Sequence, residues 1–521
     1  MNLLAYIKKW VFSIRKLKQV ENPDDPRMQF INDNERIRRN EVLENKTWYL
    51  ATDTELDNFY LQRVVVGLND NPIYNRNKRQ YFWAKSEREC NFKKMATGVA
   101  RAIVDTISNI VGDPTIKCNY EGIDDLLDET DFLYKLSNIA RPLTCAVGDG
   151  CWKISYNTEF SNHPTLQFIE SQDYEPIYKN GILVGVAFFS YYKDKKDKDY
   201  MLVETRTLTS NGCAIDYKLF NQAKEEIIEC DLDSVDEIKE QHLESIVIPV
   251  KKIFAVPTRY YFNPLYKDRG LSIYHDKIPL FDMLDEIWTQ ASQTNRVSTP
   301  VEYYDTDILQ RGKNGIVMLP QLYNRQYVAK NSTPDADGLN GNGQGILTTQ
   351  PDLNFDKYGM LARDTLDYIL IGLLSPCSFG MDIAKKDNAE AQREKEKQTI
   401  FTRNNIIAKE NKQTKDVLEQ LVIMDNYLKG DTFVDDVDKF IHDIDISVKY
   451  SEFASPTMDS KLKSLVPPYN TDALSPERYV ELLWGDTLSD DEKQHELEYL
   501  RGIKDAEHEP PMVAEEFKQD I

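Results

Sequence analysis

Cysteine and histidine have the sharpest intrinsic chemistry, and this chain holds seven and six of them. The cysteines are Cys90, Cys118, Cys145, Cys151, Cys213, Cys230 and Cys377. No two are spaced C-x-x-C, and an odd number at wide intervals reads as reduced thiols that fill space as small apolar groups in a cytosolic setting. The histidines (His163, His242, His275, His442, His495 and His508) include no H-E-x-x-H or comparable metal-ligand spacing. No G-x-x-x-x-G-K-[ST] is present to cradle a nucleotide, and no G-x-S-x-G to raise a nucleophile. Carboxylates cluster at Asp431, Asp435, Asp436, Asp438, Asp443 and Asp445. Two readings stand for them: a divalent-cation site, with Asp435, Asp436 and Asp438 serving a metal-dependent hydrolase, or a solvated acidic face. The cluster lacks the Gly hinge and terminal bidentate Glu of a calcium loop. The expectation is a protein with no catalytic residues, no metal and no cofactor.

The charge balance narrows the partners. Against 64 Lys and Arg stand 86 Asp and Glu, a net charge of −22 over 521 residues. A protein that grips nucleic acid by its phosphates needs a basic face, and this excess argues against one. Hydrophobic residues at 41% and charged residues at 29% are globular proportions. The longest apolar run, Ile182 to Phe189, is far short of the roughly 20 residues of a membrane span. Leu3, Leu4, Ile7, Trp10, Val11, Ile14 and Leu17, with Lys8, Lys9, Arg15, Lys16 and Lys18, predict a basic amphipathic helix over residues 2–19. It reads either as an interfacial helix for a membrane surface or acidic partner, or as a helix docked on its own protein.

Periodicity then places the elements. Residues 30–120 read as helical. Within them Trp83 to Asp113 predicts one helix, carrying Phe92, Met95, Ala96, Val99, Ile103, Ile107 and Ile110 and ended by Gly112-Asp113-Pro114. From Thr165 the period becomes two. Leu166 to Ile169, Ile182 to Tyr192, Met201 to Leu208 and Ile246 to Val256 predict strands, with turns at Lys179-Asn180-Gly181 and Ser210-Asn211-Gly212. Gly270 to Ser298 returns to helix. Val301 to Tyr304, Gly315 to Pro320 and Ile346 to Gln350 predict strands, and the glycine-rich Asn331 to Gly345 a mobile loop. Phe355 to Leu374 predicts a second helix and Ala389 to Lys429 a very long one. A strand at Ile444 to Tyr450 precedes a helical tail from Ser455, which holds 16 acidic and 7 basic residues. In it Ser475-Pro476-Glu477 has the form of a capped helix start.

This order resembles the portal protein family of tailed bacteriophages, in its long-tailed branch, from about Trp48 to Gly502. Ala84 to Lys117 resembles the first wing helix. Leu373 to Lys397, reading LLSPCSFGMDIAKKDNAEAQREKEK, resembles the junction of second stem helix, tunnel loop and long helix. Asp445 to Tyr450 with Leu474 to Asp486 resembles the closing wing strand and the crown. The resemblance implies a multi-domain α+β, ring-forming chain. Its parts would be a wing at 1–269, stem helices at 270–298 and 355–374, and a β-rich clip at 299–354. A tunnel loop at 375–388, long helix and closing wing strand at 389–450, and crown and acidic tail at 451–521 complete it.

The same resemblance implies a ring of about twelve copies at one capsid vertex. Double-stranded DNA would pass through it during packaging and ejection, driven by a separate terminase. Further implied partners are a head-completion or adaptor protein and the major capsid and scaffolding proteins. The setting would be the virion, and the host cytoplasm during assembly. An acidic wall suits a conduit, because it repels phosphates and lets the duplex slide. Lys385 and Lys386 in the tunnel loop read either as weak DNA contacts or as solvated lysines. Clip residues Tyr323, Asn324 and Arg325 would meet terminase or adaptor. An unrelated helical scaffold and a peripheral membrane protein held by residues 2–19 are the other readings.

Overall fold

The computed structural model describes residues 33–66, 81–85, 92–157, 161–194, 198–223, 226–241, 243–298, 300–305, 309–311, 314–315, 318, 326–330, 346–349, 355–380, 389–429, 444–451, 458–471, 473–484 and 490–508. Helix and sheet are segregated along the chain, so the class is α+β. Two compact units divide it: residues 1–112 with 116–448, and residues 113–115 with 449–521.

The larger unit begins with two helices, α1 (Asp33–Leu50) and α2 (Asp53–Val66). They are locked where Trp48 Nε1 donates to the Tyr60 hydroxyl at 2.8 Å and that hydroxyl donates to Glu44 at 2.7 Å. The expected helix from Trp83 to Asp113 is a correction: α3 spans only Val99–Val111. Gly98, at φ 71°, turns the chain into it. Met95 and Thr97 stay extended because their N–H groups find acceptors on a distant helix, described below, and residues 86–91 of the expected helix lie outside the described residues. After β1 (Pro114–Cys118) come α4 (Ile123–Glu129), α5 (Phe132–Lys135), a π-helical turn at Leu136–Ala140, and α6 (Arg141–Val147).

Two antiparallel sheets follow. β2 (Asp149–Ser155) lies between β3 (Thr165–Glu170) and β10 (Ala255–Arg259). The second sheet runs β4 (Tyr174–Lys179), β5 (Ile182–Lys193), β6 (Asp199–Thr209), β7 (Gly212–Ala223) and β8 (Glu226–Cys230), with β9 (Ile246–Ile248) beside β7. Between β8 and β9 lies the short α7 (Asp236–Lys239). Asn180 and Gly181, at φ 52° and 80°, form the turn that the Lys179-Asn180-Gly181 signal predicts. The expected strand Ile246 to Val256 is broken. Its halves serve different sheets, and Phe254 at φ 55° marks the crossover. Cys151, Tyr174, Val186, Phe188, Ile253 and Ala255 pack as one core cluster of these sheets.

α8 (Ile278–Val297) and α9 (Phe355–Leu370) flank a small sheet in sequence. In it β11 (Val301–Asp305) pairs in parallel with β12 (Gln326–Lys330) and antiparallel with β13 (Ile346–Thr349). Of the strand expected at Gly315 to Pro320, only Gly315 and Met318 are described, and neither is in a strand. The helix expected from Gly270 begins eight residues later, because Gly270 is needed elsewhere. A Cβ there would sit 2.0 Å from the Gly148 oxygen, so the two backbones meet at a point that no side chain allows. α10 (Ala389–Lys429) has the expected bounds and 41 residues, and β14 (Ile446–Tyr450) forms a two-stranded sheet with β1.

The smaller unit holds α11 (Met458–Asn470), α12 (Pro476–Trp484) and α13 (Asp490–His508). Ser475 caps α12 as expected: its hydroxyl accepts the Arg478 N–H at 3.3 Å. Arg501 pairs with Glu477 and holds α13 to α12, while Tyr469 and Tyr479 stack at 4.4 Å between ring centroids.

Candidate functional site

Lys385 and Lys386, the clip residues Tyr323, Asn324 and Arg325, the amphipathic segment 2–19 and the Asn331–Gly345 loop all lie outside the described residues. So does the acidic cluster, apart from Asp445. Among the described residues no group of three or more His, Cys, Asp or Glu side chains converges on a point where a metal ion would sit. No described helix is long and apolar enough to cross a membrane. A cavity of about 260 Å³ is lined by Arg38, Asn45, Asp149 and Ser272 among others. Its charged side chains are engaged already: Arg38 donates to Ser171 at 2.7 Å, and Asp149 accepts from Gly270 N and from Tyr174 at 2.9 Å each.

What the structure does bring together is the α8–α9 hairpin and the elements that hold it. The two helices run antiparallel, with Thr294 near Tyr358 at 3.4 Å and Lys277 donating to the Tyr368 and Ile371 carbonyls at 3.1 Å each. Lys277 thereby satisfies carbonyls at the C-terminal end of α9 that have no partner within the helix. The packed side of α9 is Ala362, Thr365, Ile369 and Leu370.

The opposite side is unusual. Met360 is 68% exposed, Tyr368 63%, Ile371 61% and Leu361 43%. At 100° per residue these four fall within an arc of about 100°. Met283 and Trp288 on α8 are exposed as well. Exposed Lys357 and Asp364 fall within the same arc, so this side of α9 mixes large apolar side chains with charged ones, as a surface that meets another protein does.

The third side of the hairpin is a polar stripe. Asp282, Asp285 and Thr289 sit three and four residues apart, so they share one side of α8. Asp282 accepts the Phe82 N–H at 2.7 Å and the Trp83 N–H at 3.1 Å. Asp285 accepts the Thr97 N–H at 2.8 Å, the Thr97 hydroxyl at 2.6 Å and the Trp83 indole N–H at 3.0 Å. Thr289 accepts the Met95 N–H at 3.1 Å. These bonds hold residues 95–97 extended and fix the turn at Phe82–Trp83, where the Ala84 and Lys85 N–H groups reach back to the Tyr81 and Phe82 carbonyls at 3.2 and 3.1 Å. Burial pushes the carboxyl of Asp282 up to about 7 and that of Asp285 up to about 6, although the N–H donors pull both down.

α10 is the spine of the larger unit, and its polar residues are ties to other elements. Thr399, Ser375 and Ser378 form a hydroxyl triad within 3.0 Å, pinning the turn after α9. Arg403 donates to the Ile110 carbonyl at 2.8 Å and Gln413 to that of Arg259 at 2.9 Å. Glu410 is the deepest node. Arg141 donates to its two oxygens at 2.6 and 3.0 Å, Tyr260 donates at 2.6 Å, and Arg141 also donates to the carbonyls of Ser108 and Gly112. Arg141 and Glu410 are 0% and 1% exposed. Further on, Asp425 accepts from Tyr120 and Lys429 and lies 3.0 Å from His163 Nδ1. None of these residues is in the set expected from sequence. The one signal available for Asp282 and Asp285 is their place beside Phe281, Leu284 and Ile287 on a helix whose other positions predict a core.

No protein-family model matches the chain, and no curated protein does. Among solved structures it is similar to a chain from the neck of a native gene transfer agent particle, at 12% identity and a TM-score of 0.37, covering 77% of this chain and 89% of that one. It is also similar to a chain from the virion of a native gene transfer agent particle, at 11% identity and a TM-score of 0.35, with the same coverage.

Proposed function

We propose that the chain is the portal subunit of a phage-type particle. In this reading copies associate head-to-tail into a closed ring at one capsid vertex, and double-stranded DNA passes along the axis. α8 and α9 are the stem, the sheet β11–β13 belongs to the clip, α10 spans the wing, and α11 to α13 form the crown. The chain performs no chemistry; a separate terminase drives the DNA, and an adaptor closes the head.

The observation that carries this reading is the exposed side of α9, where four large hydrophobic side chains flank Lys357 and Asp364. Met360, Leu361, Tyr368 and Ile371 are on the side of the hairpin turned away from α8. Their hydrophobic surface is stabilised only if a partner removes it from water. A second copy of the same chain is the partner that a homo-oligomer supplies, and a head-to-tail contact that closes on itself makes a ring. The acidic excess supports passage of DNA over retention of it. Lys385 and Lys386 would then be weak contacts at the channel, and Tyr323, Asn324 and Arg325 the contact with terminase or adaptor.

Negative-stain microscopy and native mass spectrometry of the purified protein test the assembly. Rings with a central hole are expected for the wild type, and monomers for the Met360→Glu/Ile371→Glu variant. A uniformly monomeric wild type would overturn the proposal. Packaging assays on Lys385→Ala/Lys386→Ala particles address the channel contact, which is dropped if DNA uptake and retention are unchanged.

A further inference from the structure

A head-to-tail ring needs two different surfaces that fit one another, and the exposed side of α9 is only one. The segment that joins β10 to α8 offers a counterpart. Leu265 in it is 70% exposed, and no large hydrophobic side chain among the described residues is more so; Phe262 is 64% exposed. Apolar side chains scattered singly over a surface are ordinary. These two differ because the backbone holds them out.

Asn263, buried between them, is the main reason. Its amide donates to the Gly270 carbonyl at 3.2 Å, and its carbonyl oxygen accepts the Leu265 and Tyr266 N–H groups at 2.9 and 3.2 Å. Phe262 forms an antiparallel bridge with Gly270, and the Leu271 N–H donates to the Tyr261 carbonyl at 3.0 Å, so the base of the loop is closed. Arg259 donates to the Lys267 carbonyl at 3.0 Å. Gly270 itself is fixed by Asp149 and by its close approach to Gly148. The tip is thus a stiff knuckle, and covering it costs little ordering entropy. Behind it the Asn405 side chain hydrogen-bonds the Tyr261 hydroxyl. Phe401, 57% exposed, lies one helical turn before Asn405 and on the same side of α10.

We propose that the Phe262–Leu265 knuckle of one copy packs on the exposed side of α9 of the next, as the second half of the head-to-tail contact. This contact rests on the ring reading above. Two matches point to a second copy as the occupant. Met360, Leu361, Tyr368 and Ile371 offer Phe262 and Leu265 an apolar surface on which to leave water. The charges match as well. Lys267 and Asp268 follow the tip, Lys357 and Asp364 lie among the apolar residues of α9, and all four are exposed. None of the four has an ion-pair partner among the described residues. Each surface therefore offers one cation and one anion to the other, which fixes register more than it adds affinity.

Pairwise mixing of full-length variants tests the contact. Phe262→Glu/Leu265→Glu spoils the knuckle alone, and Met360→Glu/Ile371→Glu the α9 side alone. Both pairs of positions are exposed, so the thermal midpoint is expected to stay where it is. Phe262→Ser/Leu265→Ser takes the place of the first variant if its midpoint falls. Each variant by itself is expected to lose the ring and to appear in native mass spectrometry as a 60.5 kDa monomer. Mixed in equal amounts, the two retain one sound contact, so they are expected to pair as a dimer of twice that mass and to grow no further. Variants that stay monomeric when mixed overturn the proposal. So does a knuckle variant that still closes rings, a result that leaves the ring reading standing and gives the knuckle to a different protein of the particle. A wild type that forms no ring fails the ring reading itself, and this contact falls with it.

Discussion

Arg141 and Glu410 show how a single pair can organise a large unit. Both are buried, and Arg141 donates to Glu410 and to the carbonyls that end α3. Removing one partner leaves the other charged and dry, a cost of about 3–5 kcal/mol. Glu410→Gln is expected to lower the urea midpoint with an unchanged slope, and Arg141→Met to do the same. The buried thiols give a second check at this scale. Burial lifts the Cys145 thiol to about 12, so it holds almost no thiolate near neutral pH. Iodoacetamide is expected to spare Cys145 and Cys151 in the folded protein and to label both in urea. Rapid labelling of either in the native state would place it at the surface.

At the scale of elements, the hairpin turn between β4 and β5 needs positive φ at Asn180 and Gly181. Gly181→Val should therefore destabilise by about 1–2 kcal/mol, read as a fall in the thermal midpoint. Gly270→Ala should cost more, because its Cβ meets backbone that cannot step aside. The same elements show what was legible. The bounds of α10 are legible because its 41 residues run without Gly or Pro and Gly430 follows them in the sequence. The hairpin helices were legible from their apolar stripes. The stretch before Gly98 was misread because Phe92, Met95 and Ala96 do fall at helical spacing, while the acceptors that hold it extended are nearly 200 residues away. β2 and β7 were missed for a related reason. β2 is buried on both faces, so it shows no alternation, and β7 interleaves Asp216, Lys218 and Asn221 with its apolar residues. The polar residues of α10 gave no hint that Arg403 and Gln413 tie to backbone carbonyls of other elements.

For the molecule as a whole, the net charge of −22 per chain bears on how it meets DNA. A ring built as a conduit should not retain duplex. At physiological salt, linear DNA is expected to show no complex tighter than about 10⁻⁶ M in a mobility-shift assay, the strong end of non-specific binding. A nanomolar complex would contradict an acidic wall. Assembly also has a time axis, set by the stripe on α8. Phe82 and Trp83 emerge from the ribosome some 200 residues ahead of Asp282. At translation speeds of about 5–20 residues per second, that is a wait of roughly 10–40 s. Throughout it Trp83, fully buried in the finished fold, has no groove to enter. The newborn chain therefore carries a greasy, unfastened stretch for longer than most small domains need to fold. Cooler expression and holdase chaperones should raise the soluble yield by guarding that interval.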